Sequence, residues 1–207
     1  MKKRMVTTSW QVQTAILSAL AIILYNFPKF QLPFFPSMLS VQFSMLPTII
    51  GSFALGPIGG IYIVIIKFLF KLLTTRSAGV GEFVDLIIGL AVVITTSLIY
   101  KYMKTKKGAI IALICGSIVW IGTAIVLNWL WAIPFYANAF GLDKVLKMFT
   151  VIPGVTEENY MGKYLLYGCL PFNAMLSIVV SIVTYLVYKR ISFLFHKMDN
   201  KLNKDKA

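Results

Sequence analysis

The sequence predicts an all-α integral membrane protein of six transmembrane helices with both termini in the cytoplasm. Three observations lead there. Hydrophobic residues make up 58% of the 207-residue chain and charged residues only 13%, against about 25% charged in soluble domains. Mean hydropathy is +0.81, and several apolar stretches are long enough to cross a bilayer, which takes roughly 20 residues. The third observation is charge. The chain carries a formal +13, which on a soluble domain would suggest nucleic acid. In so apolar a chain it reports orientation instead, so no nucleic-acid partner is expected. The whole of 1–207 is read as one six-helix membrane domain.

The first helix is placed at 10–27. Lys2, Lys3 and Arg4 before it and Ala19-Leu20-Ala21 within it resemble a signal peptide. The apolar stretch runs on to Phe27, so the reading is an uncleaved span. Pro28 to Pro36 follows, with three prolines and three phenylalanines, unfit for a helix and apolar enough to pack over something. The second helix is placed at 39–55 and the third at 58–73, separated by Gly56-Pro57. A short turn, 74–81, leads to a fourth helix at 82–100, ended by Lys101, Lys104, Lys106, Lys107 and Gly108. The fifth is placed at 109–133, stopped by Pro134. A mixed loop, 134–163, precedes the sixth, 164–188, and a basic tail closes the chain.

With six helices, residues 1–9, the 101–107 loop and the tail after 188 share one side. They hold three, four and six basic residues, thirteen of the chain's 20. The positive-inside rule puts that side in the cytoplasm. A solvated tail explains the tail's own charge but not the four-lysine loop.

Some chemistries are excluded. Cys115 and Cys169 lie in apolar runs without metal-ligand spacing, and the single histidine, His196, is in the tail. No metal site and no catalytic residue is expected. The turn Ser77-Ala78-Gly79-Val80-Gly81-Glu82 lacks the Gly-Lys-Ser/Thr of a phosphate loop, so the chain is not its own ATPase. It reads as a tight external turn whose backbone can approach a ligand.

Three features could carry function. Ala15, Ser18 and Ala19 form a small-residue patch, suited to close helix approach within this bundle or with another protein. Lys67 and Lys71 lie one turn apart on helix three, as do Glu82 and Asp85 on helix four. Intramembrane charges are costly and usually paired. A lysine–acid bridge would form a polar cavity wall, or the lysines would snorkel to the interface. Asn128, among Trp129, Trp131, Phe135 and Tyr136, and Asn173, after Pro171-Phe172, suit a planar ligand with polar edges. Interhelical hydrogen bonds are the alternative for the asparagines, and an interfacial belt for the tryptophans.

Taken in order, these residues resemble the substrate-binding S component of energy-coupling factor (ECF) vitamin transporters, most closely the riboflavin-specific branch. The resemblance covers nearly the full length. It rests on Ala15-x-x-x-Ala19, the apolar loop, Phe43-Ser44-x-Leu46-Pro47, and Gly56-Pro57-x-x-Gly60 leading to Lys67. Ala78-Gly79-Val80-Gly81, Leu127-Asn128 with Pro134-x-Tyr136, and Leu170-Pro171-Phe172-Asn173 complete it. It implies a riboflavin-binding subunit that is not an enzyme and uses no cofactor, the vitamin being the transported ligand. Asn128 and Asn173 would contact the flavin, Ala78 and Gly79 would offer backbone groups, and Leu46, Tyr136 and Lys67 would line the site. Phe34, Phe35, Met38 and Leu39 would form a lid. Ala15 and Ala19 would dock on a transmembrane coupling subunit served by two separate ATPase subunits, and the loaded subunit would topple to deliver its vitamin. Relatives commonly carry acids at the positions of Gln42 and Met45 and a lysine at that of Leu176. The readings kept beside it are an S component for another flavin or vitamin, and a membrane enzyme.

Overall fold

A computed structural model describes residues 7–75 and 78–204, with side chains as far as Tyr188. The expected basic residues Lys2, Lys3, Arg4 and Arg76, the acid Asp205, and Ser77 of the expected turn lie outside the described residues, as do the side chains of the tail. Among the described residues the chain is helical, with a single bridge between Phe30 and Val41 in place of any strand.

Helix α1, Thr8–Asn26, is capped at its start by the Thr7 hydroxyl, which accepts from the Trp10 amide. Helix α2, Met45–Leu73, is continuous except at Gly56, whose φ of 82° and ψ of −177° belong to a backbone region that essentially only glycine enters. There the chain doubles back, and Pro57, lacking an N–H, opens the second leg. Three contacts establish the reversal. A Cβ at Gly51 would strike Ile63, a Cβ at Gly60 would lie 3.2 Å from the Ser52 Cα, and Lys67 donates to Ser44 across 23 residues. Gly60 thus lets two backbones meet closely. The two legs, 45–55 and 57–73, are antiparallel neighbours.

Helix α3, Val80–Tyr102, follows the turn at Ala78 and Gly79. Helix α4, Lys106–Leu127, starts on a Thr105 cap and continues through a π-helical turn, Asn128–Ala132, into α5, Ile133–Phe140. A short α6, Leu142–Met148, crosses back. One turn, α7, Tyr160–Lys163, passes through a second π-helical turn, Tyr164–Cys169, into α8, Leu170–Lys204. The legs therefore run alternately up and down. Trp10 against Tyr62 at 5.7 Å and Phe53 against Tyr100 at 4.5 Å place the start of α1, the Gly56 turn and the 103–105 turn at one end. Residues 27–44, 74–75, 78–79 and 141–159 occupy the other, here called the loop end.

Three helix boundaries differ markedly from those expected, one being the end of the sixth helix, which runs on to Lys204 because 189–204 holds no proline or glycine to stop it. The second helix starts at Met45, not 39. Pro47 is the physical reason: in the first turn its missing N–H has no intrahelical partner to lose. Residues 39–43 are non-helical and lead into a turn at Ser44; Val41 and Ser44 are buried and the others half-buried. Their backbone is satisfied by Val41 with Phe30 and by Phe43 donating to the Leu24 carbonyl at 3.1 Å. Non-helical chain at membrane depth persists only under such cover. The fifth helix is not stopped by Pro134. The π turn before it shifts the hydrogen-bond register, so that the Ile133 amide reaches the Asn128 carbonyl, and the wider turn makes room for the proline ring. The second π turn ends in the same way one residue before Pro171. Much of the expected 134–163 loop is accordingly helical.

Candidate ligand-binding site

At the loop end, buried charge gathers between α2 and α3. Lys67, fully buried, lies 2.7 Å from Asp85 Oδ2, and Lys71 lies 3.0 Å from the same atom. The three side chains meet because Lys67 and Lys71 share one face of the second leg of α2 and Asp85 faces it from the second turn of α3. Asp85 takes both lysines, while Glu82 is buried one turn earlier. Gln42 donates to Asp85 Oδ1 at 3.1 Å, Ser44 donates to Gln42 at 2.6 Å, and Lys67 donates to Ser44 at 3.2 Å. Lys67 also approaches the Met45 sulfur at 3.9 Å. The ring of contacts binds the 39–44 segment to the lysines. Lys71 sits 3.9 Å from the centre of the Tyr25 ring, and Lys29 sits on the same ring at 4.6 Å, so α1 joins through cation–π contacts. The expected lysine–acid bridge between these two helices exists, and neither lysine snorkels to the surface.

The asparagines lie in the larger core cluster. Asn128 donates to the Ala124 carbonyl at 2.8 Å and accepts from the Tyr164 hydroxyl at 3.0 Å. Asn173 donates to the Cys169 carbonyl at 2.8 Å and accepts from the Trp120 indole N–H at 3.0 Å. Asn128 opens one π turn and Tyr164 opens the other. The extra residue in each turn rotates the following helix, and π turns of this kind recur at functional sites. Both asparagines keep a small exposed fraction, 8% each. The interhelical bonding that was one reading of them is present, and it leaves each amide with further hydrogen-bonding capacity.

The remaining expected residues fall into three groups. Leu46, Tyr136, Phe35, Met38 and Leu39 are half-buried and pack on the same core cluster as Trp120, Tyr164 and Phe172. Phe35 meets Phe172 edge-on at 5.3 Å, so the loop between α1 and α2 covers the asparagine end of α8. Phe34 differs: it is 64% exposed, with its ring 5.1 Å from that of Phe35. Ala78 and Gly79 both have positive φ, 52° and 85°, and the Gly79 amide donates to the Thr75 hydroxyl at 3.1 Å. Ala78 is exposed and Gly79 buried. Ala15 and Ala19 lie far from this cluster, exposed on α1 beside Val12, Ile16, Leu20 and Ile23. Ser18 is not part of that patch: it is buried, with its hydroxyl donating to the Thr14 carbonyl at 2.8 Å. The expected three-residue surface narrows to the two alanines, because position 18 falls on the inward face of α1.

Sequence reasoning passed over Trp120 and Tyr164. An aromatic residue in an apolar run reads as core, and nothing local shows that its N–H or O–H holds a particular partner. It also gave Gln42 no role, although a polar residue two positions before a serine, in an apolar stretch ahead of a helix, was a usable signal.

Six membrane legs closing over a buried polar and aromatic cluster, with no group of metal-ligating side chains among the described residues, define a multi-pass membrane protein built to hold a ligand. The chain belongs to the family described as ECF transporter, substrate-specific component, whose family model matches residues 3–188. It is 32% identical over 190 residues to the "Riboflavin transporter RibU" of Staphylococcus aureus (strain TCH60), covering 92% of this chain and 90% of that one. It is 27% identical over 185 residues to the "Riboflavin transporter FmnP" of Bacillus subtilis (strain 168), covering 87% and 90%. A solved structure described as "Structure and mechanism of the S component of a bacterial ECF transporter" superposes with a TM-score of 0.64 at 30% identity, over 89% of this chain and 96% of that one.

Proposed function

We propose that this chain is the riboflavin-binding S component of an ECF importer. It captures the vitamin at the outer face and hands it to a transmembrane coupling subunit driven by two ATPase subunits. The observation that carries the reading is the pair of buried asparagines, Asn128 and Asn173, placed among aromatic rings beneath a loop that packs on Phe172. Rings offer stacking faces and amides offer edge contacts, which is what an isoalloxazine demands. Full-length similarity to proteins named riboflavin transporters supports the same ligand.

In this reading Asn128 and Asn173 contact the ring edge, and Leu46 and Tyr136 line its faces. The Ala78-Gly79 turn offers backbone groups, and Lys67 supports the polar wall. Phe34, Phe35, Met38 and Leu39 act as the lid. The protein performs no catalysis and needs no cofactor. Ala15 and Ala19 receive the coupling subunit, and both termini are cytoplasmic.

Purified protein should be yellow or should quench the fluorescence of added riboflavin. Colourless protein that leaves riboflavin emission unchanged would refute the proposal. Asn128→Ala should weaken riboflavin binding by about 1–3 kcal/mol, the cost of stranding a buried polar partner, read in the same titration.

A further inference from the structure

The two asparagines do more than sit near one another. Each is held in one orientation, Asn173 by two partners whose own chemistry admits no reversal and Asn128 by one. The oxygen and the NH2 of an asparagine amide are nearly isosteric, and an unconstrained side chain presents either one by turning half a revolution. The indole N–H of Trp120 can only donate, so the atom it meets at 3.0 Å is the Asn173 oxygen. The Cys169 carbonyl can only accept, so the atom opposite it at 2.8 Å is the Asn173 nitrogen. The Ala124 carbonyl fixes the Asn128 nitrogen in the same manner at 2.8 Å, and the Tyr164 hydroxyl then donates to its oxygen at 3.0 Å. Reversing either amide would set carbonyl against carbonyl and, at Asn173, N–H against N–H, in a buried setting where unmade bonds are costly.

The aromatic residues that hold this order are themselves buried and packed in place. Tyr164 is fully buried and stacks on Phe149 with centroids 4.5 Å apart and planes 12° from parallel. Trp120 is buried in the same cluster. Each amide donates to a carbonyl of its own helix four residues earlier, while the aromatic partner comes from another helix. Trp120 on α4 holds Asn173 on α8, and Tyr164, in the turn leading to α8, holds Asn128 at the end of α4. The two helices cross-brace each other's amides. What remains for a ligand is one N–H and one oxygen lone pair on Asn128, and on Asn173 an oxygen lone pair beside an N–H that otherwise meets only the weakly accepting Cys169 sulfur at 3.5 Å.

We propose that Trp120 and Tyr164 are positioning residues: Trp120 sets the polarity of Asn173, and Tyr164 holds Asn128 in the polarity that the Ala124 carbonyl gives it. The site thereby reads the sequence of donors and acceptors along one edge of a heteroaromatic ligand instead of adapting to it. The inference rests on the flavin reading above and adds the source of its discrimination. A site with fixed polar groups rejects a ligand that fails to match them, because the buried group is then left unpaired.

The test uses the full-length protein in detergent with three probes: riboflavin, 2-thioriboflavin and 4-thioriboflavin. In each analogue one ring carbonyl becomes a much weaker acceptor. Affinities are read by equilibrium dialysis and melting midpoints are taken alongside. Tyr164→Phe and Trp120→Phe each delete a hydrogen-bond donor while keeping an aromatic ring. Wild-type protein should prefer riboflavin over at least one analogue by about tenfold, the scale of one good hydrogen bond. Each variant should lose affinity for riboflavin by a similar factor while its affinity for that analogue stays nearly constant, so that the preference collapses. Equal losses for all three flavins, or an unchanged preference in both variants, would overturn the inference even if the melting midpoint drops. A wild-type protein that binds none of the three overturns the flavin reading itself, which separates the two failures.

Discussion

Asp85 compensates two buried ammonium groups at once, and its removal gives the sharpest prediction at the scale of a single residue. Lys67 and Lys71 both lie within 3.0 Å of its Oδ2. Asp85→Asn keeps the shape and can still bond Gln42, but it leaves two cations in a buried site without a counter-charge. Breaking a buried pair from one side costs about 3–5 kcal/mol, so the variant should melt much earlier in detergent. Adding Lys71→Met should recover part of the loss, since one uncompensated charge disappears and its methylene contacts are retained. Recovery read in the melting midpoint would separate charge imbalance from simple damage. The lysines and the aspartate were legible in sequence because charges inside an apolar run stand out. The partners Gln42, Ser44 and Met45 were not, because only the folded-back legs of α2 bring them to Lys67 from more than twenty residues away.

At the scale of elements, the helices were legible where their boundaries are set by composition and obscured where they are set by register. Gly56-Pro57 marks its break in any reading, since one residue supplies the special backbone conformation and the next cannot continue a helix. Pro134 looks identical on paper, yet the helix passes through it. The one-residue insertion of the π turn at Asn128–Ala132 absorbs it, and such an insertion has no compositional signature. The same device before Pro171 brings Tyr164 to Asn128, which is why the asparagines could be picked out while their partners could not. Helix α1 gives an element-scale prediction. It presents Val12, Ala15, Ile16, Ala19, Leu20 and Ile23 outward at helical spacing, and its two alanines would let a partner helix come close. Ala15→Trp should therefore leave riboflavin binding intact, because position 15 touches nothing in the site cluster, while abolishing uptake in cells. Survival of uptake would remove the docking role from this face.

At the scale of the whole molecule, orientation in the membrane is the property that unites the charge pattern with the proposed task. The alternating legs place the 103–105 turn at the same end as the start of α1 and the Gly56 turn. Lys101, Lys104, Lys106 and Lys107 cluster there. Loops at the opposite end carry Lys29, Lys144, Lys147 and Lys163 among Asp143, Glu157 and Glu158, and Lys163 is held by the Pro153 and Gly154 carbonyls at 2.9 and 2.6 Å. The excess of basic residues thus falls at the end away from the site, and the positive-inside rule assigns that end to the cytoplasm. The orientation proposed above would put the asparagine cluster and its covering loop toward the outside, where the vitamin would arrive. Labelling in intact cells checks it directly. A cysteine replacing exposed Lys104 should resist a membrane-impermeant maleimide until the cells are opened, whereas one replacing exposed Lys144 should react at once. Cys169 is fully buried, out of the reagent's reach, so replacing only the half-exposed Cys115 with serine removes the background. The reverse labelling pattern would turn the site toward the cytoplasm, and capture from outside would then be impossible for this fold.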